Sequence, residues 1–152
     1  MTPRLRRLTA DGERMRDAFA RHPFISIANT EGTPPEKYHL EFRVTGLVSN
    51  DSGTISRADR HTAEIYLPLD YPRRPPLCRM MSPVFHPNID PQKICIGDHW
   101  SAGQTLQMLA VRIAEMISFQ SYNVKSPLNA KAAAWAEEHV RELPLDDADF
   151  SV

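Results

Sequence analysis

Residues 37–48 read KYHLEFRVTGLV and residues 61–69 read HTAEIYLPL. In both segments apolar side chains alternate with polar ones, which is the period-2 pattern of a β-strand with one buried face. The segment between them, SNDSGTISRADR (49–60), is rich in Asn, Asp, Ser and Gly and predicts a hairpin loop. The two strands are therefore predicted to pair antiparallel.

Two shorter strand candidates flank this pair, PFISIA (23–28) before it and LCRMM (77–81) after it. Four consecutive strands with short links are typical of an antiparallel meander. We therefore predict a four-stranded antiparallel sheet that is complete by about residue 81.

A first helix is predicted ahead of the sheet, over residues 4–21. Gly12 lies on its apolar face, and His22-Pro23 ends it because the residue before a proline disfavours helical geometry. The apolar positions that recur at helical spacing are Leu5, Leu8, Met15, Ala18 and Phe19.

Two more helices are predicted downstream of the sheet. The spacing of Ser101 and Gln104 predicts a capping box, and apolar side chains from Leu106 onward form a helical stripe to about residue 120. Residues 121–128 are predicted to be extended, and Asn129 is predicted to cap the last helix. The predicted buried stripe of that helix is Ala132, Trp135, Ala136, Val140 and Leu143.

Residues 82–104 show neither helical nor strand periodicity and contain three prolines and two glycines. Irregular loops of this length in compact domains usually carry function. Apolar residues such as Phe85 and Trp100 predict that this loop is ordered. The predicted fold class is α+β, in a single domain over residues 1–152: an N-terminal helix, a four-stranded antiparallel meander sheet, a long ordered active-site loop and two C-terminal helices.

The composition argues against several classes of function. The 152 residues are 41% hydrophobic, enough for one core, and 18 Lys and Arg against 19 Asp and Glu give a net charge of −1. This balance lacks the basic surface of a nucleic-acid-binding protein. Apolar runs long enough to span a membrane are absent, and so is an apolar leader. We expect a cytoplasmic protein with no membrane partner and with reduced cysteines.

Cys95 is the candidate nucleophile, because it lies in the long loop between Ile94 and Ile96. The glycine that follows, Gly97, permits close approach of another backbone, which suits a thiol that must meet a large acyl donor. The alternative is that Cys95 is a small buried apolar residue. The second cysteine, Cys78, lies in strand-like sequence and is assigned to the core.

His86-Pro87-Asn88 precedes Cys95 and predicts a stiff turn, because Pro87 fixes one backbone dihedral and biases His86 toward an extended conformation. The Asn88 amide could donate to a developing oxyanion in acyl transfer. The alternative is that Asn88 bonds its own loop and that His86 packs against it.

A zinc site is a weaker alternative, because His86, Cys95 and His99 fall within fourteen residues of one another. Neither a Cys-x-x-Cys nor a His-Glu-x-x-His spacing supports it, and the local signatures of papain-like cysteine hydrolases are absent. We therefore expect no metal and no cofactor, and we read His99 as a structural or orienting group rather than a base.

Several short motifs, among them the two that contain Asn88 and Cys95, follow one another along the chain. In order, the set is YPRRPP (71–76), FHPNI (85–89), Ile94-Cys95-Ile96, Trp100-Ser101, Thr105-Leu106, Asn123 and Ser126-Pro127-Leu128-Asn129. Their order and spacing, between Tyr66 and about Glu138, resemble the ubiquitin-conjugating enzymes. The fold of that family, a helix, a four-stranded antiparallel sheet and further helices, agrees with the elements predicted above.

The resemblance implies that Cys95 accepts the C-terminus of a ubiquitin-like protein as a thioester from an ATP-dependent activating enzyme. It implies transfer of the acyl group to an amine, usually a lysine. Asn88 would donate to the oxyanion or hold the loop that does so. Ser126 matches a gate position, where a hydroxyl positions the amine without removing its proton, and Asn123 would help to shape the gate.

Two departures from the family pattern are present in this sequence. Only four residues separate Cys95 from Trp100, so the loop is shorter than is typical, and we predict that Asp98 and His99 take roles filled otherwise in longer loops. The short loop and the short C-terminus resemble compact, bacterial-type members. Where the family grips RING-type ligases, this chain has Arg73 and a segment that includes Ala102, which weakens the expectation of a ligase partner.

The basic N-terminus predicts a docking surface. Arg4, Arg6 and Arg7 fit the family's use of its first helix to dock on the activating enzyme, although a solvated helix face would also explain them. Two other functions stay open. One is a non-catalytic variant that only binds ubiquitin-like proteins, which would lack the cysteine, and the other is a cysteine hydrolase, which would need a histidine close to the thiol.

Overall fold

The structure is a computed structural model that describes residues 1–96 and 100–152. Its elements, in chain order, are α1 (Pro3–Phe19), β1 (Ile25–Glu31), β2 (Lys37–Phe42), β3 (Gly46–Ser49), β4 (Ile55–Ala58), β5 (His61–Tyr66), β6 (Leu77–Met80), α2 (Leu106–Ile117), α3 (Ala130–Glu138) and a closing 3₁₀ turn (Val140–Glu142). The predicted α+β architecture is confirmed.

The main sheet has the strand order β1-β2-β5-β6, with antiparallel neighbours throughout. The prediction of one strand over 37–48 is wrong, because β2 ends at Phe42 and β3 begins at Gly46. A Cβ on Gly46 would lie 2.7 Å from Cγ2 of Ile117, so the chain passes α2 closely at this glycine as it leaves the main sheet. Alternation of polar and apolar residues does not reveal such a break.

The segment predicted as a hairpin loop, 49–60, contains a strand of its own. β3 and β4 form a separate two-stranded hairpin. Oδ1 of Asn50 accepts hydrogen bonds from the N–H groups of Ser52 and Thr54 at 3.1 and 2.8 Å, so the turn is confined to a few residues. The polar composition of the short β4 concealed it.

Helix α1 begins with Thr2, whose hydroxyl accepts the Leu5 N–H at 3.1 Å, and it ends at Phe19, two residues earlier than predicted. Leu8, among others, is buried as predicted, whereas Leu5 is 36% exposed and lies at the edge of the apolar stripe. Gly12 is buried on the packed face, where an added Cβ would lie 3.3 Å from Pro35.

The start of α2 differs from the prediction. Its N-cap is Thr105, whose hydroxyl accepts the Met108 N–H at 3.3 Å, and Ser101 lies outside the helix. The predicted Asn129 cap of α3 is confirmed by a 3.0 Å bond from the Ala132 N–H. Val140 is 58% exposed, contrary to the prediction, because α3 ends before it and helical periodicity no longer applies.

The apolar side chains form two clusters. The larger one fills the space between one face of the sheet and helices α1 and α2. The smaller one joins the β3–β4 hairpin to α3 through Leu47, Phe119 and Ala132. The segment that carries the candidate site pairs with β6 at its edge and contributes Ile89, Ile94 and Ile96 to the larger cluster. Within the described part of the chain, no helix has the length and apolar character needed to cross a membrane.

Candidate active site

Cys95 lies on an extended segment that runs antiparallel to β6. Lys93 is opposite Arg79, and the Ile94 N–H donates to the Cys78 carbonyl at 3.0 Å. The side chain of Cys95 is exposed, whereas Cys78 is buried and its burial raises the pKa of that thiol to about 12. The core assignment of Cys78 is confirmed, and the alternative of a buried Cys95 is wrong.

The turn His86-Pro87-Asn88 packs directly against the Cys95 segment. Ile89 forms a bridge with Ile94, and the Cys95 N–H donates to the Asn88 carbonyl at 3.0 Å. The backbone of Cys95 is therefore held by Asn88, the residue whose side-chain amide was predicted to donate to the oxyanion.

The side chain of Asn88 joins this turn to a second loop. Its Nδ2 donates to the Asn123 carbonyl at 2.9 Å, and its Oδ1 accepts the Asn123 N–H at 2.8 Å. The alternative is wrong for the Asn88 side chain, because its partner lies 35 residues later in the chain, but it is confirmed for His86, whose ring accepts the Asn88 N–H. One of the two amide hydrogens takes part in this pair, and the other is left for a further acceptor.

His86 braces the turn from the inside. It is 1% exposed, its Nδ1 accepts the Asn88 N–H at 3.0 Å, and its ring centroid lies 4.7 Å from that of Phe119. Burial lowers the pKa of the imidazole to about 4, so the ring is neutral at pH 7. A neutral, buried ring whose Nδ1 is occupied suits a structural role and is a poor metal ligand at that nitrogen.

The loop that Asn88 reaches forms the other wall of the site. Oδ1 of Asn123 accepts the Lys125 N–H at 2.7 Å, and the next residue, Ser126, is exposed. The N–H groups of Leu128 and Asn129 both donate to the Pro87 carbonyl, at 2.8 and 3.0 Å. The turn before the thiol, the gate loop (123–128) and the start of α3 thus form one hydrogen-bonded unit.

A groove of about 620 Å³ opens beside Cys95, which is one of its lining residues. Leu77 and neighbouring prolines line one wall of this groove, and the segment from Pro91 to Ile96 lines the other. Leu77 is 56% exposed, although it is a large apolar residue. Cys95 therefore lines an open, mainly apolar groove, and its backbone is bonded to the Asn88 turn.

A hydrogen-bond network that was not predicted from the sequence fixes the backbone of Ala102 and Gln104, a few residues after Cys95. The Arg7 guanidinium bonds the Asp11 carboxylate at 3.0 Å and donates to the backbone carbonyls of Ala102 and Gln104. Tyr71 donates to the same carboxylate at 2.6 Å. The spacing of Arg7 and Asp11, four residues apart with the acid on the apolar face of α1, was the available signal.

The other residues predicted to bind partners lie on the surface around this network. Arg6, Arg73 and Ala102 are exposed, and Arg4 is half-buried, with its guanidinium donating to the Pro68 carbonyl at 3.2 Å. A pocket of about 370 Å³ between α1 and the Tyr71 turn is lined by Arg4, Arg7 and Arg73.

Asp98 and His99 lie outside the described residues, so the predictions about them stay predictions. His99 was also the third ligand of the zinc alternative. Among residues 1–96 and 100–152, no three His, Cys, Asp or Glu side chains are grouped so that they could hold a metal ion.

A family model for the ubiquitin-conjugating enzymes matches residues 26–144, a range that includes strands β2, β5 and β6, Cys95 and α3. The chain belongs to the ubiquitin-conjugating enzyme family. The chain is also similar to the ubiquitin-conjugating enzyme E2-20 kDa of Schizosaccharomyces pombe, with 30% identity over 123 residues, 76% of this chain and 69% of the relative.

The fold is similar to that of a crystal structure from Plasmodium yoelii described as a ubiquitin conjugating enzyme. The TM-score is 0.65 at 18% identity, over 93% of this chain and 88% of the other. This similarity confirms the fold, and the family model together with the Schizosaccharomyces pombe relative confirms the resemblance seen in the sequence. Membership of this family supports a conjugating role and transferase activity. It also implies the partner classes of the family, which are ubiquitin-like proteins, activating enzymes and ligases.

Proposed function

We propose that this chain accepts the C-terminus of a ubiquitin-like protein on Cys95 as a thioester and transfers it to an amine, usually a lysine. The observation that carries the proposal is that the Cys95 thiol is exposed, while the backbone N–H of the same residue donates to the Asn88 carbonyl at 3.0 Å. Of the two cysteines, this one is open to a macromolecular donor.

Loading is an exchange between two thiols. The Cys95 thiolate attacks the carbonyl of a thioester on an activating enzyme, the C–S bond to that enzyme breaks, and its sulfur leaves as a thiolate. Because one thioester replaces another, the step is nearly isoenergetic. ATP is consumed by the activating enzyme, and this chain needs no cofactor or metal of its own.

Asn88 serves the second step, in which an amine attacks the thioester carbonyl. Its double hydrogen bond to Asn123 holds the gate loop against the turn before the thiol. Its second amide hydrogen is available to the oxyanion that develops on the carbonyl. Asn88 therefore holds the loop in place and is suited to donate to the oxyanion as well.

The incoming amine is positioned rather than deprotonated by the gate. Ser126 is exposed on the gate loop, and a hydroxyl is a poor base at neutral pH. His86 is neutral, but it is buried and its Nδ1 is occupied. Loss of solvent around the amine in the closed site favours its neutral form. His99 is proposed as a structural or orienting group rather than a base, and Asp98 as a residue that takes a role filled otherwise in longer loops.

The partner surface lies on the side of α1. Arg4, Arg6 and Arg7 would face the activating enzyme, and Arg73 and Ala102 border the same surface. Arg7 also has an internal role, because its guanidinium bonds backbone carbonyls after the thiol loop. We expect an acidic partner surface, a cytoplasmic location and a bacterial-type pathway, with a ligase as an optional partner.

A gel assay separates this proposal from its two alternatives. The protein is mixed with an activating enzyme, ATP and a ubiquitin-like protein, and adducts are compared with and without reductant. We expect a reductant-sensitive adduct that Cys95→Ala abolishes and Cys78→Ala keeps. Absence of any adduct would favour a binding-only variant, and hydrolysis of a thioester substrate without an activating enzyme would favour a hydrolase.

A further inference from the structure

Lys93 and Cys95 project from the same face of one extended segment. Ile94 between them is 2% exposed, whereas both neighbours are exposed, as expected where side chains alternate between two faces. Both residues also line the groove of about 620 Å³ beside the thiol. A lysine amine and the candidate nucleophile therefore share one surface.

The amine can reach the thiol. Same-face residues two apart on a strand are separated by about 6.6 Å, and an extended lysine side chain places its nitrogen about 6 Å from its Cα. Arg79, directly opposite Lys93, carries the same charge and is bonded to Glu64 at 2.8 Å. Arg79 therefore provides no carboxylate that would hold the Lys93 amine away from Cys95.

Lysines are scarce in this chain, which makes the placement of this one informative. Of the 18 basic residues 14 are arginines, whose guanidinium is not a nucleophile, and only four are lysines. Lys37 is paired with Glu31 on the sheet, and Lys131 lies on α3. Lys125, on the gate loop, is the other lysine near the site, but it does not line the groove.

We propose that Lys93 is a self-modification site that takes the acyl group from Cys95. The inference rests on the proposed function. The neutral Lys93 amine attacks the thioester carbonyl, the C–S bond breaks, and the Cys95 thiolate leaves and takes up the proton released by nitrogen. An amide forms on Lys93 and the thiol is free again. Proximity favours this step over attack by dilute amines, and the attached chain then occupies the groove beside Cys95.

The first test needs no activating enzyme. A short peptide α-thioester ending in glycine exchanges with an exposed thiol directly. The protein is incubated with it, treated with reductant, digested and mapped by mass spectrometry. We expect the acyl group on Lys93 at about tenfold or more over Lys125, and loss of that preference in Cys95→Ala. Equal acylation of the two lysines, or an unchanged preference without Cys95, would overturn the inference.

The second test uses the complete reaction with activating enzyme, ATP and a ubiquitin-like protein. Lys93→Arg keeps the charge and removes the nucleophile, and Lys131→Arg, at an exposed position on α3 outside the site, is the matched control. We expect the reductant-sensitive adduct in all three proteins and a reductant-resistant adduct that falls about tenfold in Lys93→Arg alone. If the wild type forms no reductant-resistant adduct, or if Lys93→Arg still forms it at the wild-type level, the self-transfer is overturned. If the reductant-sensitive adduct is missing, the proposed function is overturned.

Discussion

At the scale of single residues, the two thiols have opposite surroundings. Cys95 is exposed at the end of an extended segment, and Cys78 is 6% exposed within the core beneath it. Burial raises the pKa of the Cys78 thiol to about 12, so little of it is thiolate at neutral pH.

An alkylating reagent at neutral pH should therefore distinguish the two cysteines in the folded protein. We expect Cys95 to be modified and Cys78 to react at least about 100-fold more slowly, because the thiolate is the reactive form. Peptide mapping at successive times measures both rates, and unfolding in denaturant should make them similar. Comparable rates in the folded protein would contradict the structure.

Asn88 joins the thiol segment to the gate loop with two hydrogen bonds, so Asn88→Ala should affect both rate and stability. We expect discharge of the acyl group to lysine to slow by about 100-fold and the unfolding midpoint to fall by about 5 °C, because two bonds worth about 1 kcal/mol each are lost. Single-turnover discharge and thermal unfolding measure the two effects.

Asn50→Ala is the matched control for Asn88→Ala, because Asn50 also holds two backbone N–H groups but lies in the β3–β4 turn. It should lower stability and leave discharge unchanged. Wild-type discharge in Asn88→Ala would remove the proposed role of that amide.

The site was predictable from sequence where residues are neighbours in the chain. The proline in His86-Pro87-Asn88 predicted a turn, and the structure places this turn against the segment of the exposed Cys95. The bridge between Asn88 and Asn123 joins residues 35 apart without any periodic pattern, so only the folded chain reveals it.

At the scale of elements, α1 is fixed to the chain around the thiol loop by a buried carboxylate. Asp11 is 0% exposed and accepts bonds from Arg7 and from the Tyr71 hydroxyl. Burial, followed by the hydrogen bond to the Asp11 carboxylate, raises the pKa of Tyr71, so its hydroxyl remains a donor at all ordinary pH values. Trp100 extends the contact by donating to the Pro72 carbonyl at 3.1 Å.

Tyr71→Phe removes one donor to this buried carboxylate and keeps the ring. We expect the free energy of unfolding to fall by about 2 kcal/mol, the range for hydrogen bonds to charged groups. Urea denaturation measures it, with Tyr66→Phe as the control because Tyr66 is only half-buried. Equal, small effects of the two substitutions would contradict the role given to the Tyr71 hydroxyl.

The elements themselves were predictable where their periodicity was long. Helices α1 and α2 and the strands of the main sheet follow from apolar spacing. The four residues of β4 are too few and too polar to stand out, and the cap of α2 moved from Ser101 to Thr105 because either hydroxyl fits the local pattern.

At the scale of the whole molecule, a charged cluster on the outer face of the sheet links stability to pH. Glu64 accepts bonds from Arg79 at 2.8 Å and from His39 at 3.0 Å, and Lys37 lies 4.0 Å away. The bond from Arg79, followed by that from His39, lowers the pKa of Glu64 from 4.5 to about 2.

A carboxyl group whose pKa is lower in the folded than in the unfolded protein stabilises the fold at pH values above its unfolded pKa. This stabilisation is lost as the pH falls toward the folded pKa. We therefore expect Glu64→Gln to lower the unfolding midpoint at pH 7 by several degrees. The difference from the wild type should shrink as the pH falls from 4.5 to about 2. Thermal unfolding across this range measures it, and a difference independent of pH would contradict the assignment.

The central claim is that Cys95 carries an acyl group in thioester linkage. Intact-mass spectrometry of the protein at the earliest times after mixing with activating enzyme, ATP and a ubiquitin-like protein tests it most directly. We predict a mass gain of one donor less one water, reversed by reductant, present in Cys78→Ala and missing in Cys95→Ala. The same gain in Cys95→Ala, or its loss in Cys78→Ala, would contradict the claim.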